Sequence, residues 1–284
     1  MKPFRLLLRD LWSQALSCIP LPWFDGLRHR YAMETDDSRK KRVLGVLLRM
    51  CRYRPLRDGA ESYAIEQMPP LRLGNDGSQI SRYVYWLGPA GYEPVVSRWW
   101  SLCCSRAHGI LEIGANIGYM TIQGAASAGL NIPYVAVEPN PDASLRLKRN
   151  LELNALNAVR VVEAAVVGQI TRPTLEFCVS SLEAYAAPTG SHLAAVGAPS
   201  AHERVIQVPV AAVNALLDGI DLVKLDVEGA ELDILAAAQE RLAAQRAILF
   251  IEILDDACEL RSFIADFAKK HAFILFILCD PLVE

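Results

Sequence analysis

The sequence has no C-x-x-C pair, and none of its cysteines lies near a pair of histidines at the spacing of a metal site. Its seven cysteines are scattered and odd in number, which argues against both a disulfide framework and a zinc site. Free, mostly buried thiols are typical of proteins in a reducing compartment. The sequence therefore predicts a cytoplasmic protein.

Long apolar runs and a strong positive charge are also absent. No stretch reaches the roughly 18 uncharged apolar residues that a membrane-spanning helix needs. The N-terminus begins like a signal peptide, but Arg9 and Asp10 interrupt the apolar run after three leucines, so we expect no secretion. The net charge of −3 argues against a nucleic-acid partner, because such a domain normally carries many cations to neutralise phosphates.

A sizeable hydrophobic core is expected, because 52% of the 284 residues are hydrophobic and only 21% are charged. From about residue 109, short β-rich runs alternate with longer helical patterns. This alternation is typical of an α/β fold with a doubly wound, mostly parallel sheet. We expect this domain over residues 81–284 and a helical extension over residues 1–80, with residues 1–105 mainly helical.

The predicted elements can be read in order along the chain. Strands are expected at 110–113, 134–137, 159–167, 174–179, 222–226, 247–253 and 273–278. Helices are expected at about 117–128, from Pro141 onward, at 230–244 and at 257–270. A long loop rich in small residues over 180–203 could act as a lid or an insertion.

The first chemical signal is the strand-to-helix turn Glu-Ile-Gly-Ala-Asn-Ile-Gly at residues 112–118. Small residues let the backbone approach a ligand there, and the helix N-terminus offers free N–H groups. A dinucleotide-binding turn would read G-x-G-x-x-G, whereas here the middle position is Asn116 and the acid Glu112 lies in the preceding strand. A carboxylate at that point suits a cation, such as the sulfonium and ammonium groups of S-adenosylmethionine, better than a phosphate.

A second acid, Glu138, is expected at the end of the second strand of this domain. A carboxylate at that place can accept hydrogen bonds from both hydroxyls of a ribose. The alternative is an acid that caps the helix beginning at Pro141. We favour ribose binding, because one adenosyl ligand accounts for both Glu112 and Glu138.

These motifs, with two further ones, resemble the FkbM family of S-adenosylmethionine-dependent methyltransferases. The resemblance covers about residues 82–278, and its most specific motif is Lys-x-Asp-x-Glu-Gly-x-Glu; the matching segments are 91–94, 112–118, 137–140, 222–231 and 250–253. It implies a Rossmann-like class I methyltransferase domain that O-methylates sugars, glycolipids or secondary metabolites. It also implies S-adenosylmethionine as the cofactor.

The resemblance further implies a set of site residues. Glu112 and the turn with Gly114, Asn116 and Gly118 would hold the methionine part of the cofactor. Glu138 would bind the ribose, while Asn140 and the Ala164-Ala165 turn would border the adenine. Asp226, at the tip of the fourth strand, would lie beside the sulfonium and the acceptor. This placement agrees with the rule that open α/β sheets bind ligands at the carboxyl ends of their strands.

Two features depart from the family pattern. Residues 212–215 read Ala-Val-Asn-Ala where relatives usually have a pair ending in aspartate, so an acidic position is lost. Only one strand, at 273–278, is expected after the last helix, whereas a methyltransferase sheet normally ends with two. We therefore expect either a truncated terminal hairpin or a replacement strand from upstream.

Four acids are candidates for the reaction itself: Asp226, Glu228, Glu231 and Glu252. Asp226 and Glu228 are the predicted catalytic pair, because crowded carboxylates raise one pKa and can supply a base. They could also chelate a divalent cation, although no metal site is predicted. Alternatively, Asp226 caps the following helix and the glutamates favour its first turn. Lys224 could pair with one of these acids.

Two histidines are further candidates for the base, and two other activities are alternatives to O-methylation. His192 and His202 lie in the 180–203 loop and could supply the base, although a lone loop histidine is more often solvated. The main hypothesis is an S-adenosylmethionine-dependent O-methyltransferase. A non-catalytic S-adenosylmethionine-binding module and a nicotinamide-dependent oxidoreductase remain open as alternatives.

Residues 1–66 differ in charge from the rest, with 13 Lys and Arg against 8 Asp and Glu. Four consecutive cations at 39–42 open a predicted helix and oppose its macrodipole. An anionic membrane surface or an acidic partner would compensate them, whereas the simpler alternative is a solvated basic turn. Apolar residues between 6 and 24 would touch the membrane, or else pack on the catalytic domain or a second subunit.

Overall fold

A computed structural model of the chain describes residues 16, 21–33, 39–51, 62–65, 70–129, 131–180, 192–193 and 203–278. The chain divides into two compact units, Met1–Pro94 and Val95–Glu284, so the division lies later than the boundary expected after residue 80. Among the described residues, no helix is long and apolar enough to cross a membrane.

The first unit combines helices with a small hairpin. Its elements are α1 (Leu21–Met33), α2 (Arg39–Cys51), β1 (Ser62–Ile65), β2 (Leu71–Gly74), α3 (Gln79–Leu87) and a 3-10 helix at Gly88–Gly91. Strands β1 and β2 pair antiparallel, so the prediction of a mainly helical segment missed a hairpin. Each strand has only four residues, which is too short for a period of two to be distinctive.

Aromatic rings form the interior of this first unit. Phe24 of α1 packs edge-to-face on Trp86 of α3, with ring centroids 5.2 Å apart. Tyr63 of β1 packs in the same way on Tyr85, also at 5.2 Å. Edge-to-face contacts of this kind add to the stabilisation from burial alone. The hairpin is therefore held to α3 by its aromatic face.

The second unit contains a five-stranded parallel sheet. Its elements are α4 (Pro94–Cys104), β3 (Ile110–Ile113), α5 (Tyr119–Ala128), β4 (Tyr134–Val137), α6 (Pro141–Leu153), β5 (Arg160–Val162), β6 (Ala165–Val167), β7 (Thr174–Ser180), β8 (His192–Leu193), β9 (Glu203–Ala212), a 3-10 helix (Val213–Leu216), β10 (Leu222–Leu225), α7 (Glu231–Gln245), β11 (Ile248–Ile251) and α8 (Cys258–His271). The strand order is β11-β10-β3-β4-β5. This is a Rossmann-like, doubly wound α/β fold, as predicted.

Helices cover both faces of this sheet. Leu111 and Ile113 of β3 belong to a buried cluster with residues of α7 and α8, including Ile234 and Phe267. On the opposite face, α5 packs closely on α4 and β4. A Cβ atom on Gly124 of α5 would lie 2.6 Å from the indole nitrogen of Trp100 and 2.9 Å from the hydroxyl of Tyr134. Packing on both faces thus holds the central strand β3 and its neighbour β10 in position.

The strand order reverses between β3 and β10, because β4 and β5 extend to one side and β11 to the other. Such a reversal leaves a crevice outside the carboxyl ends of the two central strands, where α/β proteins bind ligands. The residues that follow β3, β4, β10 and β11 therefore border one crevice.

The single strand predicted at 159–167 is in fact two strands in different sheets. β5 pairs with β4, whereas β6 pairs with β9. Glu163 between them is exposed, while Ala164 and Ala165 are both buried, so the alternation of a continuous strand breaks here. The chain leaves the central sheet at this point and enters a second, four-stranded sheet.

The second sheet also contains a strand that was not among the predicted strands. β9 pairs antiparallel with β7 from Ser180↔Glu203 to Thr174↔Pro209. Pro209 within the apolar run weakens a strand prediction, because proline cannot donate to the sheet. The loop expected at 180–203 contains the short strand β8, and its other residues between 181 and 202 lie outside the described part of the chain.

The strand predicted at 273–278 does not form. These residues are described without regular structure, and Ile274, Phe276 and Ile277 are 79%, 82% and 89% exposed. A run of β-branched and aromatic residues becomes a strand only where its backbone groups pair with a neighbour. Within the described residues β11 remains at the edge of the sheet.

Candidate functional site: the crevice at the sheet reversal

The turn after β3 depends on two glycines. Gly114 has a φ of +87°, and a Cβ atom added to it would lie 1.7 Å from the backbone oxygen of Asp226. Gly118 has a φ of +83°, and its Cβ would lie 2.4 Å from the Leu147 side chain. Asn116 between them is also left-handed, a conformation that asparagine tolerates better than most residues. The missing side chain of Gly114 brings the end of β3 directly against the end of β10, and that of Gly118 lets the turn approach α6.

Glu138 follows β4 and is only 6% exposed. One carboxylate oxygen accepts the Asn116 N–H at 2.8 Å, and the other accepts the Asn140 N–H at 2.8 Å. Burial raises the pKa of Glu138 to about 7, and these two N–H groups oppose the shift. The negative charges of Asp226 and Glu112 reinforce it. The crevice thus holds an oriented carboxylate that is easily protonated.

The helix that follows Glu138 has a different cap. Asn140 is the N-cap of α6, and its side-chain oxygen accepts the Asp142 N–H at 3.0 Å. The alternative interpretation of Glu138 as the capping residue of this helix is therefore wrong. Asn140 and Ala165, the two residues expected near the adenine, are 2% and 4% exposed. Their role toward a ligand stays a prediction.

Glu112 lies inside the sheet, with 1% exposure. The Tyr134 hydroxyl donates to it at 2.5 Å. Burial raises the pKa of Glu112, and the charge of Lys224 and the hydrogen bond from Tyr134 offset only part of this shift. The register places Glu112 beside Lys224 on the neighbouring strand. Its carboxylate is therefore satisfied by protein groups beneath the crevice, and its predicted contact with the methionine part is untested.

Three carboxylates meet where β10 and β11 end. Asp226, Glu228 and Glu252 each offer an oxygen within 4.8 Å of the others. The buried Lys224 ammonium donates to Asp226 at 2.5 Å, which confirms the expected pairing of this lysine with an acid. Glu228 has a φ of +56°, an unusual backbone conformation for a glutamate, and such strain often marks functional sites.

The pKa values of Asp226 and Glu252 move in opposite directions. Burial favours protonation of Asp226, but the charge of Lys224 and hydrogen bonds from Glu252 and Lys224 outweigh it, so its pKa is lowered. Desolvation, the hydrogen bond with Asp226 and the charges of Asp226 and Glu228 raise the pKa of Glu252. Of these two neighbouring acids, Asp226 therefore favours the ionised form and Glu252 the protonated form.

Glu231 organises the turn that leads into α7. It is 2% exposed, and its carboxylate accepts the N–H groups of Val227 and Gly229, both at 2.9 Å. The N-cap of α7 is Ala230, which makes no side-chain capping bond. The alternative that Asp226 only caps this helix is therefore wrong. Glu231 holds the turn in place, which leaves Asp226 available to face the crevice.

A family model described as the methyltransferase FkbM domain matches residues 112–280. The chain belongs to the FkbM methyltransferase family. The solved methyltransferase FkbM from Methylobacillus flagellatus KT is 15% identical, with a TM-score of 0.40, and the match covers 57% of this chain and 37% of that one. Precorrin-6y C5,15-methyltransferase from Geobacter metallireducens GS-15 is 17% identical, with a TM-score of 0.38, over 64% of this chain and 73% of that one. No curated protein matches.

The two loop histidines and one tyrosine complete the account of the predicted site. His192 belongs to β8, and His202 lies outside the described residues. Tyr134 was not among the predicted site residues, although it is bonded to Glu112. Period-two alternation places residues 110 and 112 on one face of β3, but it does not identify which side chain of β4 reaches them. No sequence signal would have singled out this tyrosine.

Proposed function

We propose that this FkbM-family chain is an S-adenosylmethionine-dependent methyltransferase that methylates a hydroxyl group. The observation that carries the proposal is the buried carboxylate of Glu138 at the carboxyl end of β4. An acid at this place in a Rossmann-like sheet accepts the two hydroxyls of a ribose. The adjoining turn at Gly114 keeps backbone N–H groups close to the same crevice.

The charges around the crevice favour a cationic ligand over a phosphate. Asp226 and Glu112 already raise the pKa of Glu138, so an added anion would be repelled and an added cation attracted. A sulfonium and an ammonium group fit this field, whereas the pyrophosphate of a nicotinamide cofactor does not. The same acidity argues against a nucleic-acid acceptor and for a small molecule or glycan.

When bound, S-adenosylmethionine supplies an electrophilic methyl group: the S–CH3 bond breaks as the hydroxyl oxygen forms the new O–CH3 bond, S-adenosylhomocysteine leaves, and the hydroxyl proton goes to a base or to solvent. The protein contributes mainly alignment to such a displacement. Asp226 suits this task, because the buried Lys224 ammonium donates to its carboxylate and holds it in one orientation. It would accept a hydrogen bond from the acceptor hydroxyl and orient the oxygen.

Proton removal is assigned to the same group of acids. Asp226 is a weak base because its pKa is lowered, so we place proton transfer late, after most of the new bond has formed. Glu228 borders the same position and would receive or relay the proton. A hydroxyl on a sugar, a glycolipid or a secondary metabolite is the acceptor that the family resemblance implies.

A divalent cation is a less suitable partner for the three carboxylates than the Lys224 ammonium and a proton on Glu252. Lys224 already compensates Asp226, and Glu252 has a raised pKa, so a metal ion would have to displace both positive charges. We therefore propose a reaction without a metal. Activity that survives EDTA agrees with this, whereas activity that EDTA abolishes and Mg²⁺ restores contradicts it.

The decisive test is calorimetric titration with S-adenosylmethionine and NAD under identical conditions. We expect binding of S-adenosylmethionine alone, followed by S-adenosylhomocysteine formation when a panel of hydroxylated sugars and glycolipids is added. Binding of NAD instead would overturn the proposal in favour of an oxidoreductase. Binding of S-adenosylmethionine without product from any acceptor would assign a non-catalytic binding module.

A further inference from the structure

The outer face of α2 combines cations with apolar side chains. This face consists of Arg39, Lys40, Arg42, Val43, Val46 and Leu47, all of them exposed. The three apolar side chains are 54%, 50% and 40% exposed, respectively. The first turn contains no acidic residue. A solvated basic turn would explain the cations, but it would not explain three neighbouring apolar side chains in water.

The opposite side of α2 is already occupied. Leu48 is fully buried, and a Cβ atom on Gly45 would lie 3.2 Å from the Tyr31 ring of α1. Lys41 extends over the same ring, with its ammonium 5.1 Å from the centroid. The helix is therefore anchored in its own unit by one side, and its outer face is not needed for that packing.

The angular arrangement of the outer face matches a helix lying in a membrane interface. With about 3.6 residues per turn, Val43, Val46 and Leu47 form one stripe, and Arg42 and Lys40 flank it on either side. Long cationic side chains beside an apolar stripe can reach the lipid headgroups while the stripe enters the acyl boundary. A nucleic acid would use the cations but leave the valines and the leucine in water.

Charge supplies the second reason for this partner. Four cations in the first turn of α2 face the positive end of its macrodipole, which is locally unfavourable. Anionic headgroups would compensate these cations. We propose that the outer face of α2 docks on an anionic phospholipid surface. This inference does not rest on the methyltransferase activity.

The test is co-sedimentation of the full chain with vesicles of phosphatidylcholine, alone or mixed with phosphatidylserine. Binding is expected only to the mixed vesicles and should weaken with salt. Each cation near an anionic surface strengthens binding about fivefold, so Arg39→Ser/Arg42→Ser should weaken it roughly 25-fold. Arg149→Ser/Lys269→Ser is the matched control, because it removes the same charge from exposed positions on α6 and α8.

A third variant separates insertion from simple charge attraction. Val46→Ser/Leu47→Ser should also weaken binding while leaving its salt dependence unchanged, because it removes only apolar contact. Equal losses in the two cation variants, or no binding of the wild type to mixed vesicles at low salt, would overturn the proposal. Binding to polyglutamate but not to vesicles would assign an acidic protein instead. A wild-type dimer that Val46→Ser/Leu47→Ser dissociates would assign a second copy.

Discussion

On the β4 side of the crevice, backbone N–H groups hold the Glu138 carboxylate, and its pKa is raised to about 7. On the β10 side, the ammonium of Lys224 donates to Asp226, and the pKa of this acid is lowered. Burial favours the protonated form of both acids. The difference lies in whether a cation is adjacent.

This difference separates two tasks that a methyltransferase must perform. A carboxylate without a cationic partner gains stabilisation from ligand hydroxyls, so Glu138 is suited to binding. A carboxylate whose charge is already compensated keeps its ionisation and its orientation, so Asp226 is suited to positioning a reacting group. Changes at each side should therefore affect different measurements.

The largest effect is expected where the two sides touch. Gly114→Ala introduces a Cβ atom 1.7 Å from the Asp226 carbonyl oxygen, at a residue with a φ of +87°. We expect a loss of about 3 kcal/mol or more in the free energy of unfolding, from strain and overpacking together. Urea denaturation of the purified variant would measure this loss, and both cofactor binding and turnover should fall with it.

Gly129→Ala is the matched control for this prediction. Its φ is +80°, but no atom lies within 4 Å of the added Cβ. It should lose less than Gly114→Ala, about 1 to 3 kcal/mol, because only the strain at its φ of +80° and ψ of 175° applies. Equal losses of unfolding free energy in the two variants would show that the ends of β3 and β10 are not in tight contact.

The second prediction breaks the β10 side alone. Asp226→Asn should lower turnover roughly 100-fold or more, because the oriented negative charge is lost. The chain should remain folded, since the amide oxygen can still accept from Lys224 and Glu252 can ionise to restore the charge. Steady-state kinetics with S-adenosylmethionine would measure the change in turnover, and calorimetry should show a smaller loss of cofactor affinity than Glu138→Ala produces.

Asp218→Asn serves as its control, because Asp218 is an exposed acid whose ion pair with Arg241 lies away from the crevice. This variant should keep full turnover. Near-normal turnover in Asp226→Asn would remove the positioning role from Asp226. Proton transfer and alignment would then have to come from Glu228 or from outside the cluster.

The sequence was sufficient to predict most of the parallel sheet, and for a physical reason. Strands β3 and β4 are short apolar runs bounded by turns, and the motif residues lie directly after them. The same approach failed at 273–278, where a comparable apolar run remains exposed without a partner strand. Strand formation there depends on pairing between distant segments, which local composition does not specify.

The candidate site shows the same limit. Spacing placed Glu138 and Asp226 at strand ends, because parallel strands bring their carboxyl ends together. It did not show that Glu231, rather than Asp226, accepts the N–H groups of the turn before α7, nor that the pKa of Glu252 is raised. Both depend on the relative positions of side chains and on desolvation, which arise only after packing.

The third prediction breaks the β4 side. Glu138→Ala removes a buried acceptor for ribose hydroxyls and should weaken S-adenosylmethionine binding by about 1.5 to 3 kcal/mol. Titration calorimetry would measure the affinity of the folded variant. Glu240→Ala, which removes an exposed acid paired with Lys270, should bind like the wild type. An unchanged affinity in Glu138→Ala would end the assignment of this residue to the ribose.

The smallest expected effect is a pH dependence of cofactor binding, which tests the difference in pKa between Glu138 and Asp226. Ribose hydroxyls donate to the ionised carboxylate, so binding should lower the pKa of Glu138 from about 7 and release a proton near neutral pH. Affinity should rise by less than about tenfold between pH 6 and pH 8, because that interval spans the titration of a single group.

The free energy of unfolding of the free protein should depend on pH in the opposite direction. The raised pKa of Glu138 gives stability that is present at acidic pH and is lost as the pH rises through about 7. Glu138→Gln should abolish both pH dependences, which calorimetry in two buffers of different ionisation enthalpy and denaturation at several pH values would reveal. If the proton release persists in Glu138→Gln and disappears in Glu252→Gln, the titrating group lies on the β10 side, and the division of tasks between the two sides is wrong.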